Sequence, residues 1–265
     1  MVENVRRAGM RRFEGARVIV TGGASGIGEA TAARFLSEGA YVLVMDVSAA
    51  HLAAARPRLE RLADEYGGRL DVNHGDVSAP GDVEEMVRQA LDGFGRIDVL
   101  INNAGIVYEE PFLEIPVDHW DRTMAINLRG MFLVGQRVAR EMSRERRGVI
   151  LLTSSTNGLV GEDKLAHYNA SKGGVTLLTK SMAIELGPYN IRVNAVCPGN
   201  IVTPIIRPID SPEDIAYRRE YAKLLPLGRV GQPEEVAAVF AFLASDDASF
   251  MTGETVVIDG GQLTY

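Results

Sequence analysis

The chain has 265 residues, 46% of them hydrophobic, a formal net charge of −7 and one cysteine. That length and content can bury one sizeable core as a single domain, and the acidic balance argues against a nucleic-acid partner. Lone Cys197 excludes an internal disulfide framework, the four scattered histidines lack metal-ligand spacing, and no apolar run approaches the ~20 residues of a membrane span.

In chain order, residues 1–13 carry four arginines but no apolar stretch of the kind a secretory signal needs. They are expected to be a flexible tail, with 14–265 as the domain and the cytoplasm as the compartment that suits a single free thiol. The β-branched run 16–20 predicts a buried strand, and 26–38 a helix. Between them stands Thr21-Gly-Gly-Ala-Ser-Gly-Ile-Gly28, with glycines at 22, 26 and 28, a wider spacing than G-x-G-x-x-G. A strand, a glycine turn and a helix start make an anion cradle. Glycines let the backbone approach a pyrophosphate, and the helix offers free N–H groups and a positive dipole end. A second strand at 41–45 runs into Asp46, 18 residues past Gly28, where a carboxylate would meet adenosine ribose hydroxyls. The competing reading of Asp46 is a turn cap before Ser48.

Further strands are predicted at 70–73, 99–101, 149–153, 192–196 and 256–258. Helices are predicted at 48–65, 80–93, 117–143 (broken near 127–130), 165–187 and 233–244, with 203–227 read as a loop. This alternation predicts an α/β fold, a single-domain doubly wound parallel sheet of the Rossmann type with helices on both faces. Such sheets bind ligands at the carboxyl ends of their strands, where Asp46, Asp76, Asn102, Ser155 and Pro198 all fall.

Tyr168-Asn-Ala-Ser-Lys172 carries the chemistry. Residues four apart share a helix face, so the Lys172 ammonium is expected to favour phenolate and lower the Tyr168 pKa from its usual value of about 10. A tyrosine tuned that way exchanges protons with an alcohol or carbonyl near neutral pH. A hydroxyl at Ser155 can donate to the same substrate oxygen. Ser154 competes for that role, and because neighbouring strand residues face opposite ways, only one of the two can serve. Cys197, beside Pro198, reads as a small buried apolar residue.

These stretches together resemble the short-chain dehydrogenase/reductase family over about 17–261. The matching residues are Thr21 to Gly28, Asp76-Val77, Asn102-Asn-Ala-Gly105, Asn127, Ser155, Tyr168 with Lys172, and Pro198-Gly199 followed by Thr203. The resemblance implies an oxidoreductase interconverting a secondary alcohol and a ketone, with Asn127, Ser155, Tyr168 and Lys172 as its catalytic set. It implies cofactor contacts from Gly22, Ser25, Gly26, Ile27, Gly28 and Asp46, with Asp76 and Val77 flanking an adenine. Asn103, Ala104, Gly105, Tyr168, Lys172, Pro198, Gly199, Ile201 and Thr203 would complete the seat. For the side chains of Asn102 and Asn103, turn-fixing and cofactor contact stand as alternatives. Asn127 would kink its helix and hold a relay water. Family members commonly pair the helices at 128–143 and 165–187 across a two-fold axis and pair again through the last strand. A homotetramer is therefore expected, with Met131, Phe132, Val134, Leu177 and Leu178 on the paired faces.

Asp46 would repel a 2′-phosphate, and Ala24, Ser25, Val47 and Ser48 offer it no basic partner, so NAD is the expected cofactor. By the same resemblance the substrate walls come from residues after Gly105, from 156–167, from Asn200 and from 203–227. They offer Asn157, Glu162, His167, Asn200 and Arg207 beside Leu159, Val160 and Ile205. A polar hydroxylated substrate (a sugar, sugar acid or polyol) is expected, with Asn157, His167 and Asn200 as candidate contacts, although His167 alone reads as a helix-surface residue. One alternative is a 3-oxoacyl-thioester reductase, with the basic run 144–147 touching a carrier protein. Another, of a different class, is a non-catalytic NAD-binding sensor, which loss of Ser155, Tyr168 or Lys172 would have marked.

Overall fold

Strands apolar at nearly every position must be covered on both faces, which is the situation at the centre of a parallel sheet. The computed structural model describes residues 11–205, 209 and 211–264. Its strands are β1 Arg17–Thr21, β2 Tyr41–Asp46, β3 Arg69–His74, β4 Val99–Asn102, β5 Gly148–Thr153, β6 Ile191–Pro198 and β7 Thr255–Ile258. They form one sheet in the order β3-β2-β1-β4-β5-β6-β7, each neighbouring pair parallel. Each predicted strand is present, the first shifted by one residue and the others lengthened by one to three.

The helices are α1 Gly26–Ser37, α2 Ala49–Tyr66, α3 Pro80–Phe94, α4 Val117–Met124, α5 Met131–Glu145, α6 Ala166–Leu186, α7 Pro212–Ala222 and α8 Pro233–Ala244. Strand alternation divides the core between the two faces. Val18, Val20, Val42 and Val44 pack with Phe35, Leu52 and Phe240 of α1, α2 and α8. Ile19, Leu43, Met45 and Leu100 pack with Met86, Val134 and Val175 of α3, α5 and α6. The doubly wound α/β fold is thus the one the alternation predicted. The order of strands reverses between β1 and β4, and ligands of open α/β sheets bind at such a switch point.

Four expectations need correction. The predicted break near 127–130 is a π-helical segment, Ala125–Gly130, which joins α4 to α5 without interrupting the rod. The predicted loop at 203–227 contains α7. Ser211 accepts from Asp214 N at 3.1 Å, Pro212 opens the helix, and Glu213 and Asp214 lie in its first turn. The predicted tail does not extend to residue 13. Phe13 is buried with its ring 4.6 Å from that of Phe35, and Arg12 donates to Glu38 at 2.7 Å; residues 1–10 lie outside the described residues. Finally, Met131 and Val134 are core residues, whereas Phe132 and Leu177 are exposed. No described helix is long and apolar enough to cross a membrane.

Candidate active site

The carboxyl ends of β1 to β6 open onto one cleft of about 560 Å³, lined by Gly22, Asp46, Asp76, Asn103, Ser155 and Pro198 among others. At its floor β1 runs into the glycine turn. A Cβ at Gly28 would fall 1.9 Å from the Gly22 carbonyl oxygen, and Gly22 has φ +60°, so neither position accepts a side chain. The Ser25 side chain caps none of the first-turn N–H groups of α1, which leaves them for an anion. Thr203 borders the same turn, its methyl 3.2 Å from where a Gly26 Cβ would stand.

Two asparagines hold the turn from behind. Asn103 Nδ2 donates to Thr21 O at 3.2 Å and Gly22 O at 3.3 Å, and its Oδ1 accepts from Thr153 Oγ1 at 3.0 Å. Asn102 donates to Met131 O at 2.8 Å. Both side chains fix backbone; Asn103 also lines the cleft, with Ala104 and Gly105, whereas Asn102 does not. Asp46 accepts from Ala24 N at 3.2 Å and from Ser48 N at 2.9 Å while also lining the cleft, so its capping role and a position facing a ligand coexist. Asp76, held by the Ser78 N–H and hydroxyl, lines it too, with Val77. Pro198, Gly199 and Ile201 complete the wall at the end of β6. A side-chain-free turn at a helix start, followed by a carboxylate at the end of β2, fits a dinucleotide.

Tyr168 and Lys172 lie one turn apart on α6, with Nζ 5.5 Å from the tyrosine ring centroid and donating to Thr153 O at 2.8 Å. Burial pushes the Tyr168 hydroxyl up to about 12; a hydrogen bond with Ser155 opposes this, and nearby Cys197 and Glu162 add to it. The same burial pulls Lys172 down from 10.5 to about 8. The expected lowering of Tyr168 by Lys172 is therefore reversed in the protein alone. Desolvation disfavours the charged form of both groups, and the lysine spends its donor on a main-chain carbonyl.

Ser154 and Ser155 diverge as their alternation requires. Ser154 Oγ is pinned to α6, donating to Lys172 O at 2.9 Å, whereas Ser155 lies beside Tyr168 and donates to Asn157 Oδ1 at 3.1 Å. Asn127, fully buried in the π segment, grips one residue of the neighbouring loop. Its Oδ1 accepts from Ile106 N and its Nδ2 donates to Ile106 O, both at 2.8 Å. Burial raises the Cys197 thiol, which suits an inert core residue.

At the substrate end, Asn157 Nδ2 donates to Glu162 at 2.9 Å, Asn200 donates to Tyr217 Oη at 2.9 Å, and both asparagines line the cleft. His167 does not line it and is not on the surface. It is fully buried; its Nδ1 accepts from Tyr168 N at 3.0 Å, which leaves the proton on Nε2 to donate to Glu110 at 3.3 Å. The start of α6 lacks a capping side chain at Leu165, and the imidazole supplies an acceptor there. Glu110 also meets His119 Nδ1 at 2.6 Å, and the His119 ring stacks 4.2 Å from Tyr108. Arg207 lies outside the described residues. Sequence reasoning missed Asp214, Tyr217, Arg218 and Tyr221 of α7, and Gln262, which all line the cleft. The helix-start signals at 211–214 could have found the first group. Gln262 carries no local signal; it is placed by Asp259, which accepts from Gly261 N at 2.8 Å and Leu263 N at 2.9 Å. The run 144–147 sits at the amino edge of β5, where Arg147 pairs with Asp98, a strand length of about 20 Å from the cleft.

A family model described as enoyl-(acyl carrier protein) reductase matches residues 22–262. The 3-oxoacyl-[acyl-carrier-protein] reductase FabG of Thermotoga maritima is 42% identical over 250 residues, 94% of this chain and 98% of its own. The 3beta-hydroxysteroid dehydrogenase 2 of Eggerthella lenta is 41% identical over 253 residues (95% and 96%). The L-rhamnose 1-dehydrogenase (NAD(P)(+)) of a Sphingomonas species is 38% identical over 256 residues (95% and 98%). A crystal structure of a short-chain type dehydrogenase/reductase from Mycobacterium marinum superposes with a TM-score of 0.89 at 34% identity, covering 96% of this chain and 98% of that one. With its glycine cradle at the sheet's switch point and its tyrosine and lysine one turn apart on α6, the chain belongs to the short-chain dehydrogenase/reductase family of oxidoreductases.

Proposed function

We propose that the protein is an NAD(H)-dependent oxidoreductase interconverting a secondary alcohol and a ketone, acting on a polar hydroxylated small molecule. The observation that carries this reading is the meeting of Ser155, Tyr168 and Lys172 in the same cleft as the dinucleotide cradle. In oxidation the carbinol loses its C–H hydrogen as hydride and its O–H hydrogen as a proton. A bound nicotinamide supplies the hydride chemistry. Tyr168 takes the proton, Ser155 donates to the oxygen as charge develops on it, and Lys172 holds positive charge behind the ring. Asn127 fixes Ile106 at the cleft edge, and by its likeness to the family's helix asparagine its main chain would position a relay water.

Asp46 supports NAD over NADP. Its carboxylate, fixed by two backbone N–H groups at the cleft edge of β2, would meet the ribose hydroxyls, and Ala24, Ser25, Val47 and Ser48 beside it include no cation for a 2′-phosphate. The relatives' names span acyl thioesters, a steroid and a sugar, so substrate choice rests on the wall, where Asn157, Glu162, Asn200, Tyr217, Tyr221 and Gln262 are polar. The likeness to FabG favours a 3-oxoacyl-thioester reductase as the second reading. The distance of the run 144–147 from the cleft tells against that run as a carrier contact.

A homotetramer with two-fold axes belongs to this proposal. Leu177 and Ile184 on α6 are 67% and 78% exposed, Phe132 on α5 faces outward, and β7 is a sheet edge with β6 as its described neighbour. The test of the activity is absorbance at 340 nm with sugars, polyols, hydroxy acids and 3-oxoacyl thioesters, each with NAD and NADP. Turnover of a polyol or sugar with NAD is expected. Tight NAD binding without turnover of any compound would favour a sensor instead.

A further inference from the structure

We infer that the substrate is a neutral polyhydroxylated molecule, and that Glu162 and Gln262 recognise it by accepting hydrogen bonds from hydroxyls near the reacting carbon. The inference rests on the oxidoreductase reading and sharpens it: sugar acids and other carboxylates are the compounds the site turns away.

The first observation is an unmatched acceptor. Gln262 Oε1 is sealed from solvent and has no donor, although Gln262 lines the cleft. It lies over the turn after β6, 2.8 Å from where a Gly199 Cβ would stand. Buried acceptors are almost always satisfied, so a ligand hydroxyl at this point relieves a standing deficit.

The second is a carboxylate tied to the catalytic serine. Ser155 donates to Asn157 Oδ1 at 3.1 Å, and Asn157 Nδ2 donates to Glu162 Oε2 at 2.9 Å. Glu162 is thereby held two hydrogen bonds from the hydroxyl that faces the reacting oxygen, and it keeps acceptor capacity for a ligand. Its negative charge reaches Tyr168, and it reaches Tyr221, which also feels Asp259, the residue that folds the Gln262 turn. Glu162, Tyr221 and Gln262 therefore border the same end of the cleft. Three cations among the described residues line the cleft: Arg122 of α4, and Lys172 and Arg218, which are engaged already. Lys172 donates to Thr153 O at 2.8 Å, and Arg218 pairs with Asp214 at 2.8 Å. A hydroxyl finds acceptors here, whereas a substrate carboxylate meets like charge. A site built to accept hydrogen bonds rejects ligands that cannot donate them far more strongly than an apolar pocket rejects a change of size.

The test measures kcat/KM with NAD for two matched pairs, D-glucose with D-glucuronate and xylitol with D-xylonate, and for 2,3-butanediol and cyclohexanol. Wild type, Glu162→Gln and Gln262→Leu are compared. The neutral member of each pair should lead by about tenfold or more. Glu162→Gln should bring that ratio towards one and move the acid limb of the pH profile to lower pH, because a negative charge opposing the Tyr168 phenolate is gone. Gln262→Leu should raise KM for the polyols by about tenfold and leave KM for NAD unchanged. Wild type that turns over the carboxylates as well as their neutral partners overturns the inference, as does cyclohexanol outperforming the polyols. A Gln262→Leu defect confined to KM for NAD removes Gln262 from substrate recognition. Oxidation of 2,3-butanediol without any preference within the pairs sinks the inference and spares the oxidoreductase reading, whereas no turnover of any alcohol sinks both.

Discussion

Replacing Lys172 with methionine should abolish activity and yet stabilise the fold at neutral pH. Lys172 is 3% exposed, and burial lowers its pKa from 10.5 to about 8. At 1.36 kcal/mol per tenfold change in proton affinity, holding that lysine charged costs roughly 3 kcal/mol. Methionine fills a similar volume without a charge. It also strands Thr153 O, which loses a donor at 2.8 Å and with it about 1–3 kcal/mol. The net gain at pH 7 is then up to about 2 kcal/mol, or several degrees in Tm at roughly 2–4 °C per kcal/mol for a chain of this size. The sign with pH is fixed by linkage. Between about 8 and 10.5 the folded wild type binds fewer protons at this residue than the unfolded chain, so its stability climbs through that window. The methionine variant has no such climb, and its advantage should shrink steadily from pH 7 to pH 10. In the folded wild type Tyr168 titrates above this window, at about 12. Calorimetric Tm values for the two cofactor-free proteins at several pH values decide the matter. A variant less stable than wild type at pH 7, or a difference that fails to narrow towards pH 10, would refute the claim that Lys172 is buried at an electrostatic cost.

Tyr168→Phe should lower kcat by at least about 10²-fold while NADH binding, read by fluorescence, stays nearly intact; a variant keeping more than about a tenth of the activity would remove Tyr168 from proton transfer. Asp46→Ala combined with Val47→Arg should shift the kcat/KM ratio towards NADP, and a wild type that already prefers NADP would end the Asp46 argument. Gly28→Ala places a methyl 1.9 Å from the Gly22 carbonyl oxygen, so it should destabilise the fold by about 1–3 kcal/mol and weaken NADH binding; an unchanged dissociation constant would show that the turn is not the cofactor seat. Light scattering at micromolar concentration should give about four times 28.7 kDa, and an active monomer of 28.7 kDa would refute the assembly.

Much of this architecture is written locally. The strands are legible because runs such as 41–45 are continuously apolar and flanked by glycine or polar residues. The cradle is legible because the residues at Gly22 and Gly28 must lack side chains. Tyr168 and Lys172 are visible because four residues make one turn. What was illegible depends on neighbours distant in sequence. The burial that raises Tyr168 and lowers Lys172 comes from β5, β6 and the cleft walls, so a pair that reads as mutually activating is, in the protein alone, two groups held neutral-leaning. His167 looks like a surface residue until Glu110, 57 residues earlier, is brought against it. Gln262 acquires meaning only when the turn after β7 folds over the turn after β6. By contrast, α7 was locally encoded: Ser211, Pro212 and two acids announce it, and the polar, weakly amphipathic segment behind them obscured it.

The π segment at Ala125–Gly130 has a consequence for which changes of length this enzyme tolerates. An α-helix turns by about 100° per residue, and a π turn takes up one residue more than an α turn. That extra residue lets one continuous rod serve two directions: Asn127 grips Ile106 at the cleft, while Met131, Val134, Val138 and Met142 keep their side chains in the core. Deleting any single residue between 125 and 130 would let the rod relax into unbroken α-helix, the lower-energy form of the backbone itself. The two halves would keep their phase, because the residue lost is the one the wide turn absorbs, but the local bulge that turns Asn127 onto Ile106 would be gone. A shortening that leaves the packing of α5 intact would here cost the grip on Ile106, so the segment's length matters to the site as much as the identity of its asparagine.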